Sequence, residues 1–499
     1  AITTTISEIF RGDFRRICEV KKAVLHLEAI YFCHGTCYLL KRENMPIKDQ
    51  LALYQRIELI PQSTTEFFEN NRECIINNWP EESALAAKPE ILYDALLASE
   101  FCVQPERVGY KIDKVSRDIA GAYYTSSDFS AQITYRALES YMDRKRRRAI
   151  DSDSFACCNE YENITFLDYS CGCGEFLLAV IQYFDNHVLG YSRKKLATQL
   201  RGVDVNPIAL MITIARIVSA VEAEDDENLL REVAKNFIVG NPLLHSDKIA
   251  PLEVRFDNFA LNRLYAETEG INCLELEQQN LVVLGNPPWE KLRFEERAFF
   301  RPVCPAISAI SQKNKREKEI KKLAVNWLEL LEYYQLLQDD YASVKKEIPK
   351  HPLLKVSLVG ELNTYAMFAE LASRLTEKDG FAAIIVKSAL VTSTCYSSCF
   401  RHFVNQGSLS EVFLFDNREK LFQIDSREKF CVLFFGGEHA GGIKVHYGLT
   451  KQEQILSSVP INVTSEELEL INPETGLLPN VADSKEFSFL LLSLIHISE

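Results

Sequence analysis

What this sequence lacks narrows it first. Its 499 residues hold no apolar run of the ~18–20 residues needed to span a bilayer, and no basic-then-apolar leader opens the chain. The expectation is a globular protein with no membrane partner. A surplus of positive charge is missing too: 56 Lys and Arg stand against 70 Asp and Glu, a net charge of −14. That excludes a surface coated throughout for nucleic acid. The 14 cysteines include no Cys-x-x-Cys pair, and several sit inside apolar stretches. They read as reduced thiols of a cytoplasmic protein, not as a disulfide framework. Internal repeats and low-complexity tracts are absent. So is an initiator Met, and the closing "LSLIHISE" (Leu492–Glu499) resembles a translated sequencing adaptor more than coding sequence. Both ends read as those of a fragment, and residues 492–499 are set aside as an artefact.

What is present is an ordinary globular composition, 47% hydrophobic and 25% charged, at a length that implies two or three domains. Residues 1–110 read as a helical N-terminal region. "FRRICEVKKAVLHLEAIYF" has apolar residues at mixed three and four spacing, and Ser63-Thr64-Thr65-Glu66 has the form of a capping box. Residues 111–445 read as a second domain, of α/β class. Short apolar runs ending in Gly, Asn or Asp alternate there with helical segments, which implies a doubly wound, mostly parallel sheet. "SLSEVFLFDN" and "KFCVLFFGG" suggest an antiparallel hairpin at one edge, and a charged helical insertion is expected over about 290–358. Two basic runs, Arg144 to Arg148 and Gln312 to Lys322, read as solvated surface, with phosphate contact as the alternative.

Ligands of open parallel sheets sit beyond the carboxyl ends of the strands, so strand ends matter most. "FLDYSCGCGEFL" ends a strand at Asp168, and Gly172 and Gly174 allow a tight backbone turn before a helix begins near Glu175. Leu177 fills the third glycine position of a nicotinamide fingerprint, which disfavours a dinucleotide. "GVDVNP" ends a second strand with Asp204, placed to accept from both hydroxyls of a ribose. Cys171 and Cys173, with Cys157 and Cys158 upstream, have the wrong spacing for zinc and no nearby His, so small buried thiols are the favoured reading and no metal is expected.

The sharpest signal is "LVVLGNPPWEKL". Pro287 and Pro288 fix φ and remove two backbone donors, leaving nearby carbonyls to accept. Asn286 adds a side-chain carbonyl, and the face of Trp289 stands ready for a flat ring. The corner reads as an acceptor pair for the amino group of an aromatic base. Such an amine is a poor nucleophile until its protons are held and its nitrogen is aimed.

With these motifs the chain resembles the S-adenosylmethionine-dependent N6-adenine (amino) DNA methyltransferases, and more closely the large methylases of type IIG restriction–modification and phage-defence systems. The resemblance runs from about Gly121 to Gly437 and implies a Rossmann-like methyltransferase sheet. "GAYYTSSDFS" resembles the family's "YYTP" segment, which implies that Tyr124 and Thr125 hold the cofactor's methionine part; Ser126 replaces the usual proline. "DYSCGCGEFL" matches the cofactor loop, implying roles for Asp168, Ser170, Gly172, Gly174 and Phe176. Asp204 is the ribose acid by the same comparison, and Asn241 in "IVGNPLL" meets the cofactor's adenine. "GNPPW" is the family's catalytic motif, assigned to Asn286, Pro287, Pro288 and Trp289. The implied substrate is double-stranded DNA with the adenine flipped out of the stack, at a cost of a few kcal/mol. Other restriction or defence subunits are candidate partners. In the family this motif order places target recognition after the catalytic domain, so residues 446–491 are expected to begin such a region, and the fragment to bind DNA weakly. No PD…ExK nuclease arrangement precedes Gly121. The alternatives are methylation of an RNA base or a protein glutamine, and a catalytically silent DNA-binding or assembly subunit.

Overall fold

The computed structural model describes residues 1–80, 89–97, 99–112, 125–151, 161, 163–244, 251–261, 280–377, 379–436 and 442–498. Tyr124, Cys157 and Cys158 lie outside the described residues. The chain forms two compact units that interleave along the sequence. One comprises Ala1–Ala122, Val203–Cys273 and Leu292–Lys350; the other comprises Tyr123–Gly202, Leu274–Lys291 and His351–Glu499.

The first unit is built on the helix Ile17–Leu39, whose apolar residues are buried around most of its circumference. It packs against the helix Pro207–Ala220, where Cys33 Sγ lies 3.4 Å from Met211 Sδ. His26 lies between the rings of Phe67 and Phe256, at 5.1 and 5.3 Å, and burial pushes its pKa down to about 4. It therefore stays neutral and bonds Thr64 Oγ1 at 3.0 Å. The expected capping box does not form: the helix Gln62–Asn70 starts one residue earlier than Ser63, with Pro61 as its cap and no side-chain cap bond. The N-terminal region also contains a hairpin, β1 (Ser99–Gln104) and β2 (Arg107–Ile112), paired antiparallel about Pro105 and Glu106. The expected insertion is helical. Its helices Glu296–Val303, Lys313–Asn326 and Leu328–Glu347 join this unit, with Trp327 Nε1 donating to Arg15 O at 2.6 Å and Tyr333 Oη to Leu261 O at 2.9 Å.

The second unit is a mixed α/β body on a large sheet. Its strands are β3 (Thr165–Asp168), β4 (Leu200–Asp204), β6 (Leu281–Gly285), β7 (Phe381–Lys387), β8 (Leu409–Asp416), β9 (Lys429–Phe435), β10 (Ile443–Leu449) and β11 (Ile461–Val463). They hydrogen-bond in the order β11-β10-β8-β9-β7-β6-β3-β4. β4 crosses the division, Leu200–Gly202 in the second unit and Val203–Asp204 in the first, where β5 (Phe237–Val239) follows it in the order. β3, β4, β6 and β7 run parallel, and all five residues of β6 are buried, as a strand covered on both faces requires.

The expected edge hairpin is corrected here. β8 and β9 do pair antiparallel, but β9 lies between β7 and β8, and β10 and β11 extend the sheet beyond them. The helix Ser484–Ser498 packs on β10, with Tyr447 and Phe487 stacked at 5.7 Å, so residues 446–491 belong to the same compact unit as the sheet.

Candidate functional site

The corner after β6 is held from three sides. Thr364, the first residue of the helix Thr364–Leu375, donates its backbone N–H to Glu290 O at 2.9 Å. Its Oγ1 lies 2.6 Å from Pro288 O and accepts from Glu290 N at 3.0 Å. The Pro288 carbonyl is therefore engaged, which corrects the expectation that the carbonyls around both prolines are left to accept. Asn286 is held by Thr125: its Nδ2 donates to Thr125 Oγ1 at 3.1 Å. Trp289 is only 5% exposed, donates Nε1 to Ile385 O at 3.3 Å, and packs on Phe422 (5.2 Å, edge-on) and Phe430 (6.0 Å, near-parallel). In this arrangement the indole is part of the core and not an open platform.

The second half of this region is the turn after β3. Asp168 is 2% exposed and its Oδ1 accepts from Ser170 N at 3.0 Å. Gly172 at φ +49° and Gly174 at φ +85° take the left-handed conformations that a Cβ disfavours. Gly174 N donates to Cys171 O at 2.7 Å, and the helix Glu175–His187 starts at the next residue. Cys171, Cys173 and Phe176 are buried. Ser170 Oγ is buried with no hydrogen-bond partner among the described residues. The turn and the corner meet at Gly285: a Cβ there would stand 2.7 Å from Asp168 Oδ1. Sequence reasoning missed this contact because the two residues are paired only by the sheet, through β3 alongside β6.

In the first unit, Asp204 ends β4, and its Oδ1 accepts from Asn206 N at 2.8 Å. Asn206 caps the next helix through Ile208 N and donates Nδ2 to Tyr93 Oη at 2.7 Å. Asn241 follows β5, with Oδ1 accepting from Leu243 N at 3.1 Å. Both strand ends are thus rigid turns, with Asp204 and Asn241 each part-exposed.

The carboxyl of Glu290, beside the corner, is pushed up to about 8 by burial alone, so it is mostly protonated at neutral pH. The two basic runs differ. Arg144 is buried and donates to Asp379 O and Gly380 O at 2.7 and 2.8 Å, a structural use. Lys315, Lys318, Lys321 and Lys322 are all exposed on the helix Lys313–Asn326.

No protein-family model and no curated protein matches the chain. Solved structures do resemble it. The DrdV–DNA complex gives a TM-score of 0.46 at 12% identity over 92% of this chain and 40% of that one. The ATP-dependent Type ISP restriction–modification enzyme LlaBIII bound to DNA gives 0.45 at 10% identity, over 88% and 27%. A chain of a type I restriction–modification system gives 0.42 at 12% identity, over 99% and 94%. The chain thus spans well under half the length of the first two. Likenesses this distant carry no residue-by-residue correspondence, and the chemistry has to be read from the site.

Proposed function

We propose that the protein is an S-adenosylmethionine-dependent DNA methyltransferase that modifies adenine N6, working within a restriction–modification or phage-defence system. The observation that carries the reading is the juxtaposition of the Asn286 corner and the Asp168 turn through Gly285, with a carboxamide fixed at the end of a wholly buried strand. The residues present fit the cofactor. The two left-handed glycines keep side chains off the turn, Ser170 offers an unclaimed hydroxyl, and Asp204 is a strand-end carboxylate suited to a ribose. Asn241 is assigned to the adenine ring. When bound, the cofactor supplies an electrophilic methyl group.

The chain's own residues do the rest. Asn286 Oδ1 and the Pro287 carbonyl accept the two protons of the target amine, which favours a pyramidal nitrogen with its lone pair available. Because both acceptors are fixed before the substrate arrives, little reorganisation is needed as charge develops on that nitrogen. Removing such a group typically costs about 10²–10³ in rate. Trp289 supports this corner from the core side.

The test is incubation with methyl-labelled S-adenosylmethionine and, separately, duplex DNA, RNA and protein. Label is expected on adenine N6 of DNA and absent with Asn286→Ala, whose cofactor affinity is retained. Label confined to RNA or protein would overturn the DNA assignment. Cofactor binding without any transfer would instead favour a silent subunit.

A further inference from the structure

An asparagine at the catalytic position carries a problem that an aspartate would not. Its amide has an acceptor end and a donor end of nearly equal size, related by a half-turn. Only one sense offers Oδ1 to an incoming amine; the other sets an NH₂ against an NH₂. We propose that Thr125 is a positioning residue that fixes the sense of the Asn286 amide, so that its nitrogen faces the protein and its oxygen faces the substrate. This rests on the methyltransferase reading and assigns Thr125 a task beyond any contact with the cofactor.

Three observations support it. Thr125 is 5% exposed, and its Oγ1 stands 3.1 Å from Asn286 Nδ2, so the accepting hydroxyl is a buried one. Thr125 is itself held, because Ser126 opens the helix Ser127–Asp151: Ser126 O accepts from Phe129 N and Ser130 N at 3.1 and 3.0 Å. Finally, both partners are keyed to one aromatic cluster. Phe129, 1% exposed, packs on Phe422 and Phe430 at 6.2 and 6.1 Å, and these are the two rings that hold Trp289, three residues after Asn286. The helix that follows Thr125 and the corner bearing the amide are therefore located by the same rings. A reversed amide would also fit a hydroxyl, which both donates and accepts. In the presence of an amine substrate, however, the sense with Nδ2 toward Thr125 is the one that leaves Oδ1 to accept.

Valine at position 125 keeps the shape and removes the acceptor. The expected result for Thr125→Val is a fall in single-turnover methyl transfer to DNA of about 10- to 100-fold, as follows from leaving a buried amide proton without its partner. The rate is read at saturating S-adenosylmethionine, so that any contact of Thr125 with the cofactor does not enter it; KM for DNA should change little, while Thr125→Ser restores the rate. The sharper arm uses Asn286→Asp, since a carboxylate presents an acceptor whichever way it turns. In that background Thr125→Val should cost no more than about threefold. Selective ¹⁵N-asparagine labelling gives a readout free of activity: the Asn286 side-chain protons should be protected from exchange in the parent protein and lose protection in Thr125→Val. Unprotected protons in the parent, or an equal penalty in both backgrounds, would each overturn the proposal. If Asn286→Ala still transfers methyl groups at the parent rate, the methyltransferase reading fails, whatever the amide's protection shows.

Discussion

A Cβ on Gly285 would sit 2.7 Å from Asp168 Oδ1, closer than real side chains approach, and the carboxylate is 2% exposed with little room to retreat. Gly285→Ala should therefore displace Asp168 and cost about 1–3 kcal/mol in stability. Cofactor affinity measured by calorimetry should fall at least tenfold; an unchanged value would remove Asp168 from the cofactor site. Trp289→Ala should cost about 3–5 kcal/mol, as for a buried aromatic truncated in a packed core. Denaturation of that variant beside Asn286→Ala, which should be nearly as stable as the parent, separates a core role from a catalytic one. Glu290 gives a pH signature. Its folded pKa, about 8, lies above the ordinary 4.5, so stability is fully present below pH 4.5 and lost as pH rises toward 8. Each pH unit of separation is worth about 1.4 kcal/mol at most. Glu290→Gln should thus raise the melting temperature at pH 8 and leave it unchanged near pH 4. The Asn-Pro-Pro-Trp corner and the glycine turn were legible in the sequence because each is a local backbone statement. The contacts of Gly285, Thr125 and Thr364 were not, because each depends on a partner brought near by the sheet or by a helix start.

The elements were legible where their signal was local and strong. Strand–turn–helix alternation predicted the α/β sheet, and the charged insertion is helical. The β1–β2 hairpin was missed because its turn, Pro105-Glu106, lacks the Gly or Asn that marks tight hairpins. The order around β9 was missed because an apolar run shows that a strand is buried and says nothing of which neighbours bury it. A largely buried polar cluster accompanies the parallel ladder of β10 with β8. Glu411 accepts from Arg136 Nη2 at 2.7 Å and bonds His446 Nε2 at 2.9 Å, while His446 stacks on Phe413 at 4.0 Å and its Nδ1 lies 2.7 Å from Ser458 Oγ. Burial works to raise the Glu411 pKa, but the bonds from His446 and Arg136 outweigh it and hold the carboxyl below its ordinary 4.5. A depressed carboxylate stabilises the fold above its unfolded pKa, and that stability is lost as pH falls through the folded one. Glu411→Gln should then cost about 3–5 kcal/mol at pH 7, the penalty of breaking a buried pair. The cost should shrink as pH drops below about 4, as urea unfolding at pH 7 and at pH 3.5 would reveal; an equal cost at both would mean the charge contributes nothing.

At the scale of the whole molecule, a linear reading divides the chain into successive regions, whereas its compact units are assembled from three segments each. Such interleaving leaves no mark in local composition, so it could not be read from the sequence. Charge distribution could. With a net charge of −14 the protein repels duplex DNA on average, and contact with phosphates requires a local exception. The helix Lys313–Asn326 is the candidate. Arg316, Ile320 and Leu323 face inward, Arg316 pairs with Glu296, and Lys315, Lys318, Lys321 and Lys322 lie on the outward side. Among the described residues, Lys315, Lys318 and Lys321 make no ion pair, and the 2.7 Å pair of Lys322 with Glu319 is exposed and weak. From Lys315 to Lys322 the stripe spans about 10 Å, enough to meet consecutive phosphates. Counterion release lowers log K with log salt at a slope of roughly 0.9 per phosphate neutralised. Replacing all four lysines with Gln should therefore reduce the magnitude of that slope by about two to three, equally for any DNA sequence, because phosphate contacts carry register and affinity but no base information. Fluorescence anisotropy with two unrelated duplexes over a salt series measures both quantities, and S-adenosylmethionine affinity, expected to be unaltered, reports that the variant is folded. An unchanged slope would show that this helix does not face DNA, and that phosphate contacts have to be sought elsewhere on the surface.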